Sequence, residues 1–444
     1  MATIPDSNWS KDRLMGKSVS FKGAINQDGT TTVTSPAGSK QRHDHKEKID
    51  PMLWGRPGHL SEEEADIYMK FKDEVESRGG DFKKTVYCFG EEEGEVWALC
   101  RWLRARKFVY QDVITMVEEA TQCRADAKAA DFYPDPKAAL GCDMSVYFAQ
   151  YPQLYSGFAK NGSPLFISKP GVLNVDAIEC ITTLTGIVKF HWYIMMHDFA
   201  CRLRSHKEKD PHFKKFECVC VLDLAHLTMS QLSQRALAIV KEQSAIDSLC
   251  FPETMNKMYI INGPRFFGAT WSLIKGWLDP RTANKIEVIS NRKTWEKALL
   301  EYVDEDQLPS DYGGKGPDTQ QTIEKEYYSG KLKRMHTEVI YLRGSNSTKY
   351  DIGAGEELQV SVYTRSVSGA KFTLVEASSK HAAPWVSDVV LTHTGTGDTE
   401  EPPSHKTLND TPIKGPASVK VKIDAIGSRW STQNMLVVFS VLNP

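Results

Sequence analysis

An α/β domain with an N-terminal helical lobe, followed by an all-β antiparallel sandwich, is the architecture the sequence predicts. Three observations predict it. Helical apolar periodicity dominates residues 61 to 120. Short β-type runs then alternate with longer helical stretches, the signature of α/β layering. From about Thr337 only β runs remain, separated by Gly, Ser, Thr, Asp and Pro.

A chain of 444 residues exceeds what one hydrophobic core usually organises, so several domains are expected. Hydrophobic residues at 41% and charged residues at 25% lie in the globular range, so most of the chain should fold. A formal net charge of -2 argues against a large polyanion-binding surface, and no nucleic-acid partner is expected. The nine cysteines are odd in number and contain no CxxC pair, which fits reduced thiols in a cytoplasmic protein. The first residues, MATIPDSNWSKDRLMG, lack a signal-peptide core, and Ala2 stands where myristoylation requires glycine. The longest apolar runs are too short to span a bilayer, so membrane contact should be peripheral.

Residues 1–50 are polar and without apolar period, and read as a disordered or loosely attached leader. Residues 51–135 read as the helical lobe. Ser61 with Glu64 makes a capping box ahead of Ala65, Tyr68, Met69 and Phe71, and two further helices carry Val96 to Leu103 and Val113 to Ala120. Residues 136–316 read as the α/β domain. Its strands are expected at Pro164–Ser168, Phe216–Leu222, Lys257–Asn262 and Lys285–Ile289, with helices at about Ala177–Arg204, Ser230–Ser248 and Phe266–Leu278. The turn residues Leu308 to Gly314 close it. Residues 317–336 read as a linker, and 337–444 as the sandwich.

No GxSxG elbow, HExxH or Walker loop is present, so catalysis is not expected and no catalytic residue is assigned. Arg101, Arg104, Arg106 and Lys107 crowd one helix C-terminus, where the helix dipole favours cations. They read either as a solvated face or as a phosphate clamp, since Arg offers bidentate donors. Phe267, Trp271, Ile274 and Leu278 share one helix face, while Phe266 and Trp277 widen it. That helix is either core or a mobile lid touching a membrane, with Lys275 available to a head group. Cys218 and Cys220 point to the same side of a strand without a second ligand pair, so core-facing thiols are expected and no metal.

In order along the chain these pieces resemble the CRAL-TRIO lipid-transfer family, which includes phosphatidylinositol/phosphatidylcholine transfer proteins. The resemblance rests on RWLRARKF at 101–108, Tyr151-Pro152-Gln153, and Lys160 to Leu165. It continues through Leu222-Asp223-Leu224, Phe251 to Met255, Tyr259 to Pro264, Trp277 to Pro280, Lys285-Ile286 and Leu308-Pro309 before Gly313-Gly314. The trailing β segment is similar in position and pattern to the Golgi-dynamics (GOLD) sandwich of some animal members.

The resemblance implies a soluble carrier that encloses a phospholipid, most simply phosphatidylinositol, and exchanges or presents it at membranes as a cytoplasmic, peripheral protein. It implies no cofactor beyond the bound lipid. It places Arg106, Lys107, Glu242 and Lys275 at the lipid head group. Tyr193, Cys218, Cys220, Phe266, Phe267, Trp271, Ile274, Trp277 and Leu278 fall to the pocket and its gate. Where choline-lipid members carry Ser and Thr hydroxyls on the floor strand, Cys218 and Cys220 are weak hydrogen-bond partners. Two other readings remain open: a lipid-sensing adaptor that recruits a protein through the sandwich, and a carrier of a tocopherol or retinoid.

Overall fold

Two short polar signals start the first folded unit. The Ser61 hydroxyl accepts the Glu64 N–H at 3.1 Å while the Glu64 carboxylate accepts the Ser61 N–H at 2.8 Å, so the expected capping box forms. The structure is a computed structural model that describes residues 9–16, 50, 52–276, 278, 280–378, 383–396, 400–427 and 432–444. The chain divides into two units, residues 1–124 with 248–253, and residues 125–247 with 254–444.

The first unit contains α1 (Lys11–Leu14), α2 (Glu62–Arg78), α3 (Gly80–Val86), α4 (Glu95–Ala105) and most of α5 (Tyr110–Ala129). Residues 9–16 depart from the expected loose leader. Leu14 is fully buried, its carbonyl accepts the Leu60 N–H, and Lys11 pairs with Asp66 at 2.5 Å, so one apolar side chain anchors this stretch. The rest of that leader, apart from Asp50, lies outside the described residues.

Segment 248–253 joins this unit through aromatic and thiol contacts. Phe251 packs on Phe89 with ring centroids 5.8 Å apart, and the Arg124 guanidinium lies over its ring. The Cys250 thiol hydrogen-bonds Cys123, which lowers the exposed Cys123 thiol to about 7. Thiolate is the nucleophile, so iodoacetamide at neutral pH should modify Cys123 first, with a rate rising through about pH 7. Peptide mapping in which another cysteine reacts first would contradict this.

The second unit opens with α6 (Pro136–Leu140), α7 (Met144–Gln150), β1 (Gln153–Phe158), β2 (Pro164–Ser168) and α8 (Val175–Ile181). There follow α9 (Leu184–Tyr193), a π-helical turn at Ile194–Phe199, α10 (Ala200–Lys209) and β3 (Cys218–Asp223). Then come α11 (Gln234–Cys250), β4 (Met255–Ile261), α12 (Phe267–Lys275), α13 (Pro280–Asn284), β5 (Ile286–Ile289), α14 (Arg292–Tyr302) and α15 (Thr319–Tyr327). Its sheet runs β1-β2-β3-β4-β5, parallel except for the antiparallel edge strand β1. The four expected strands form within two residues of their expected bounds. Strand β1 goes beyond the sequence expectation, because Tyr-Ser-Gly-Phe offers no clear alternation.

The single helix expected over Ala177–Arg204 is broken. Thr182 leaves helical geometry and its hydroxyl donates to the Leu140 carbonyl at 2.6 Å, while Thr183 caps α9 by accepting the Gly186 N–H at 2.8 Å. Consecutive threonines compete with the backbone for hydrogen bonds, which is the physical reason for the interruption. The linker expected at 317–336 is also corrected. It holds α15, which packs on α7 and β1, with Tyr327 and Phe148 rings 4.3 Å apart and Arg202 paired to Glu326 at 2.5 Å.

Among the described residues nine antiparallel strands follow: β6 (Leu332–Leu342), β7 (Ser345–Ile352), β8 (Glu357–Thr364), β9 (Ala370–Glu376), β10 (Val386–Leu391), β11 (Ser404–Thr407), β12 (Ile413–Lys414), β13 (Ala417–Ala425) and β14 (Gln433–Leu442). They form two sheets, β10-β9-β13-β7 and β11-β8-β14-β6 with β12 on β8. Alternation explains the sandwich: Val419, Val421 and Ile423 are fully buried, as are Val360, Val362 and Phe439 on the facing sheet. The sandwich is tied to the α/β domain by hydrogen bonds from Tyr341 to Asp176 (2.6 Å), Arg365 to the Thr182 carbonyl (2.7 Å) and Gln150 to Thr337 (2.9 Å).

Candidate functional site

The sheet of the α/β domain has two unlike faces. On one, Leu154, Ile167, Val221 and Tyr259 align across the strands, are nearly or fully buried, and belong to a closed core. On the other, strand register aligns Tyr155, Phe166, Cys220, Met258 and Ile286 in one row across all five strands. The next row on that face is Gln153, Ser168, Leu222, Ile260 and Val288. Here Phe166, Met258, Ile286 and Leu222 are only partly buried and Val288 is exposed, although all are apolar. Large apolar side chains left accessible in the middle of a sheet form a surface suited to an apolar ligand.

Helix α12 lies over part of this face. Phe267 is buried against Ile260, Leu224 and Leu227, with Phe266 and Trp271 packed around the same cluster beside Leu222, Met258 and Ile286. Ile274 and Leu278 are half-buried, while Trp277 lies outside the described residues. The expected gate segment is therefore a helix seated on the floor by one buried ring, with its remaining described apolar side chains partly accessible.

Cys218 and Cys220 occupy the floor face together, their sulfurs 3.4 Å apart. The thiol hydrogen bond to Cys220 and burial push the Cys218 thiol well above its ordinary value, so it stays neutral at physiological pH. Tyr193 stacks between Phe190 and His197, each 5.8 Å away, at the start of the π turn. Burial raises its phenol above the ordinary range. A further polar group flanks the same floor: Arg202 pairs with Asp198 at 2.5 Å and lies over the Tyr155 ring.

The charged residues fall out differently. Lys275 ends α12 and Glu242 lies on α11; both are exposed and neither forms an ion pair with the other. Arg106 caps α4 and donates to the Ala105 carbonyl, and Lys107 follows it in left-handed backbone at φ 51°. Arg101 and Arg104 are neither a solvated face nor a clamp. Arg101 donates twice to Glu93 (2.5 and 3.0 Å) and once to the Pro252 carbonyl (3.1 Å), and Arg104 pairs with Glu253 at 3.3 Å. The arginine-rich motif and the Phe-Pro-Glu motif thus belong to one buried assembly. Net charge patterning could not reveal this, because the partners are 149 to 151 residues apart in sequence.

Sequence reasoning also missed a polar latch at the carboxyl edge of the sheet. Asp223 accepts from the Asn262 side-chain amide Nδ2 at 2.8 Å and the Tyr312 hydroxyl at 2.9 Å, and the Asn262 side-chain Oδ1 accepts the Trp295 indole N–H at 3.0 Å. Asp223 and Asn262 come from the Leu-Asp-Leu and Asn-Gly-Pro motifs, so those motifs fix the strand ends that lead into α12. At Gly314 a Cβ would lie 1.9 Å from the Leu308 carbonyl oxygen, which only glycine permits. Among the described residues no group of three His, Cys, Asp or Glu side chains is placed to hold a metal ion. No described helix is long and apolar enough to cross a membrane.

Comparison with known proteins places this geometry. The chain is 28% identical over 233 residues to the phosphatidylinositol/phosphatidylcholine transfer protein SFH12 of Arabidopsis thaliana, covering 50% of this chain and 40% of that protein. It is 25% identical over 313 residues to the phosphatidylinositol/phosphatidylcholine transfer protein SFH9 of the same plant, covering 67% and 52%. With the SEC14 cytosolic factor of Kluyveromyces lactis it shares 29% over 266 residues, covering 59% and 81%. The chain thus spans about half or less of the plant relatives' length. Among solved structures, a crystal structure of Sfh5 aligns with a TM-score of 0.44 at 16% identity, covering 59% of this chain and 91% of that one. The CRAL/TRIO domain model matches residues 149–314, the span that contains the five-stranded sheet and helix α12, and residues 149–314 of this chain are a CRAL/TRIO domain.

Proposed function

We propose that the protein is a lipid carrier that holds one phospholipid, phosphatidylinositol in the first instance, on the accessible apolar face of its sheet and exchanges or presents it at membranes. The observation that carries this reading is the row in which Phe166, Met258 and Ile286 are apolar yet only partly buried, flanking the buried Cys220, with Met258 and Ile286 packed on the cluster that seats α12. A diacyl lipid has roughly 30 methylenes, and at about 0.8 kcal/mol each their transfer through water costs on the order of 25 kcal/mol. A dry floor under a hinged helix replaces that exposure with continuous burial. The relatives named as phosphatidylinositol/phosphatidylcholine transfer proteins support the same reading. Native mass spectrometry with lipid extraction tests it: one phospholipid per chain is expected, and transfer between vesicles. Protein purified without lipid and inactive in transfer would rule it out.

Within this proposal Lys275 and Glu242 serve the head group, the cation for phosphate and the carboxylate for inositol hydroxyls. Hydrogen bonds to charged groups contribute about 1.5–3 kcal/mol, so Lys275→Ala should cut the share of inositol lipid recovered by roughly tenfold or more. Total lipid should remain. An unchanged inositol share would remove Lys275 from the site. Protein that carries a tocopherol or retinoid and no phospholipid would favour that ligand, and Lys275→Ala should then change its binding little. With Cys218 and Cys220 in place of hydroxyls, choline lipid should be the minor species.

A second reading, a lipid-sensing adaptor, draws on the ties between the sandwich and the α/β domain. Asp176 on α8 accepts from Tyr341 of the sandwich and pairs with Arg235 on α11 at 2.8 Å, so one carboxylate joins both. Deleting residues 337–444 should spare transfer but abolish recruitment of a protein partner.

A further inference from the structure

The outer face of the sheet β10-β9-β13-β7 carries charge that folding does not explain. Because Val419, Val421 and Ile423 point into the sandwich, Lys420 and Lys422 point out. The register sets Lys420 directly opposite Lys349 on β7, with Lys422 one pleat further along the same face. Like charges directly opposed across strands are destabilising. None of these three lysines has an ion-pair partner among the described residues.

The carboxylates nearby are engaged elsewhere. Asp388 pairs with Lys371 at 3.2 Å, Asp351 accepts from Ser418 at 2.5 Å, Asp424 accepts from Ser345 at 2.6 Å, and Glu376 accepts from Ser378. The same face is apolar along its β10 margin. Val390 lies opposite Lys371 and is 44% exposed, and Trp385, one residue before the inward-facing Val386, is 41% exposed. An exposed Trp at the β10 margin of a sheet that carries unpaired lysines on β13 and β7 combines the two features of an interfacial surface: an amphipathic ring that settles at head-group depth and cations that meet anionic lipid.

We infer that this face of the sandwich docks on an anionic membrane surface, with Lys349, Lys420 and Lys422 against lipid phosphates and carboxylates and Trp385 inserted between head groups. The surface would dock the protein whether or not the sheet of the CRAL/TRIO domain holds a lipid, so the two readings fail separately. Juxtaposed cations contribute about 1 kcal/mol each at an anionic leaflet, so three lysines are equivalent to roughly a hundredfold in vesicle affinity.

The test is flotation of the full chain with phosphatidylcholine vesicles, with and without phosphatidylserine, over a salt series. The expected result is binding that requires phosphatidylserine and weakens with salt. It should fall by a hundredfold or more in Lys349→Glu/Lys420→Glu/Lys422→Glu, less in the matching Gln variant, and by roughly tenfold in Trp385→Ala. All four positions are exposed or half-exposed, so thermal melting should show the variants folded, and native mass spectrometry should show their lipid content unchanged. Binding of folded triple variants equal to the parent would overturn the inference. So would a parent protein that ignores phosphatidylserine at low salt, the outcome expected if an acidic protein were the partner instead.

Discussion

Arg101→Ala should destabilise the first unit by about 3–5 kcal/mol, the cost of removing one partner from a buried ion pair. The Glu93 side chain is 1% exposed and that of Arg101 6%, so the truncated variant leaves a carboxylate in the interior with no counter-charge. It also leaves the Pro252 carbonyl without the Arg101 donor and removes a cation from the face of the Phe89 ring. The expected signature is a lower urea midpoint with faster hydrogen exchange at 85–105 and at 248–253 together, because one guanidinium bonds both stretches. Replacing the pair by Arg101→Met with Glu93→Leu should recover most of the loss, since no buried charge remains uncompensated. A loss below about 1 kcal/mol in the single variant would mean that water reaches Glu93 and that the pair is not buried in solution.

Cys220→Trp should strip the protein of lipid. Cys220 is buried between the partly accessible Phe166 and Met258, so an indole there would push out onto the floor that acyl chains would cover. A lipid load lower by tenfold or more is expected in native mass spectra, and vesicle transfer should fall with it. Overpacking costs about 1–3 kcal/mol, which a thermal melt will register without loss of fold. Cys201→Trp, a bulky substitution at an exposed position on α10, is the control that should keep its lipid. A folded Cys220→Trp protein with a full lipid load would place the ligand away from this face.

Much of the fold was legible because its signals are local. The capping box at Ser61 and Glu64 depends on residues three apart, and the alternation of Val419, Val421 and Ile423 depends on residues two apart, so sequence alone carries both. Strand β1 and the break at Thr182 were not legible. The first is recruited by its neighbour β2 and the second by the Leu140 carbonyl, and each depends on a partner found only after folding.

For the site, residue identity and order pointed to the CRAL/TRIO domain, and to the strand and helix that form at Cys218–Asp223 and Phe267–Lys275. Tertiary structure decided what each charge does. Arg101, Arg104, Arg106 and Lys107 look alike as a run of cations, yet the fold buries the first two against Glu93, Pro252 and Glu253. A side chain's role follows from its desolvation and its partners, and neither is a property of the residue alone. The sequence by itself determined that this protein has a CRAL/TRIO sheet, a helix over it and a sandwich behind. Only the folded register decided that Phe166, Cys220, Met258 and Ile286 share one row, three of them partly accessible, and that Lys349 faces Lys420, because alignment across strands is set by long-range pairing.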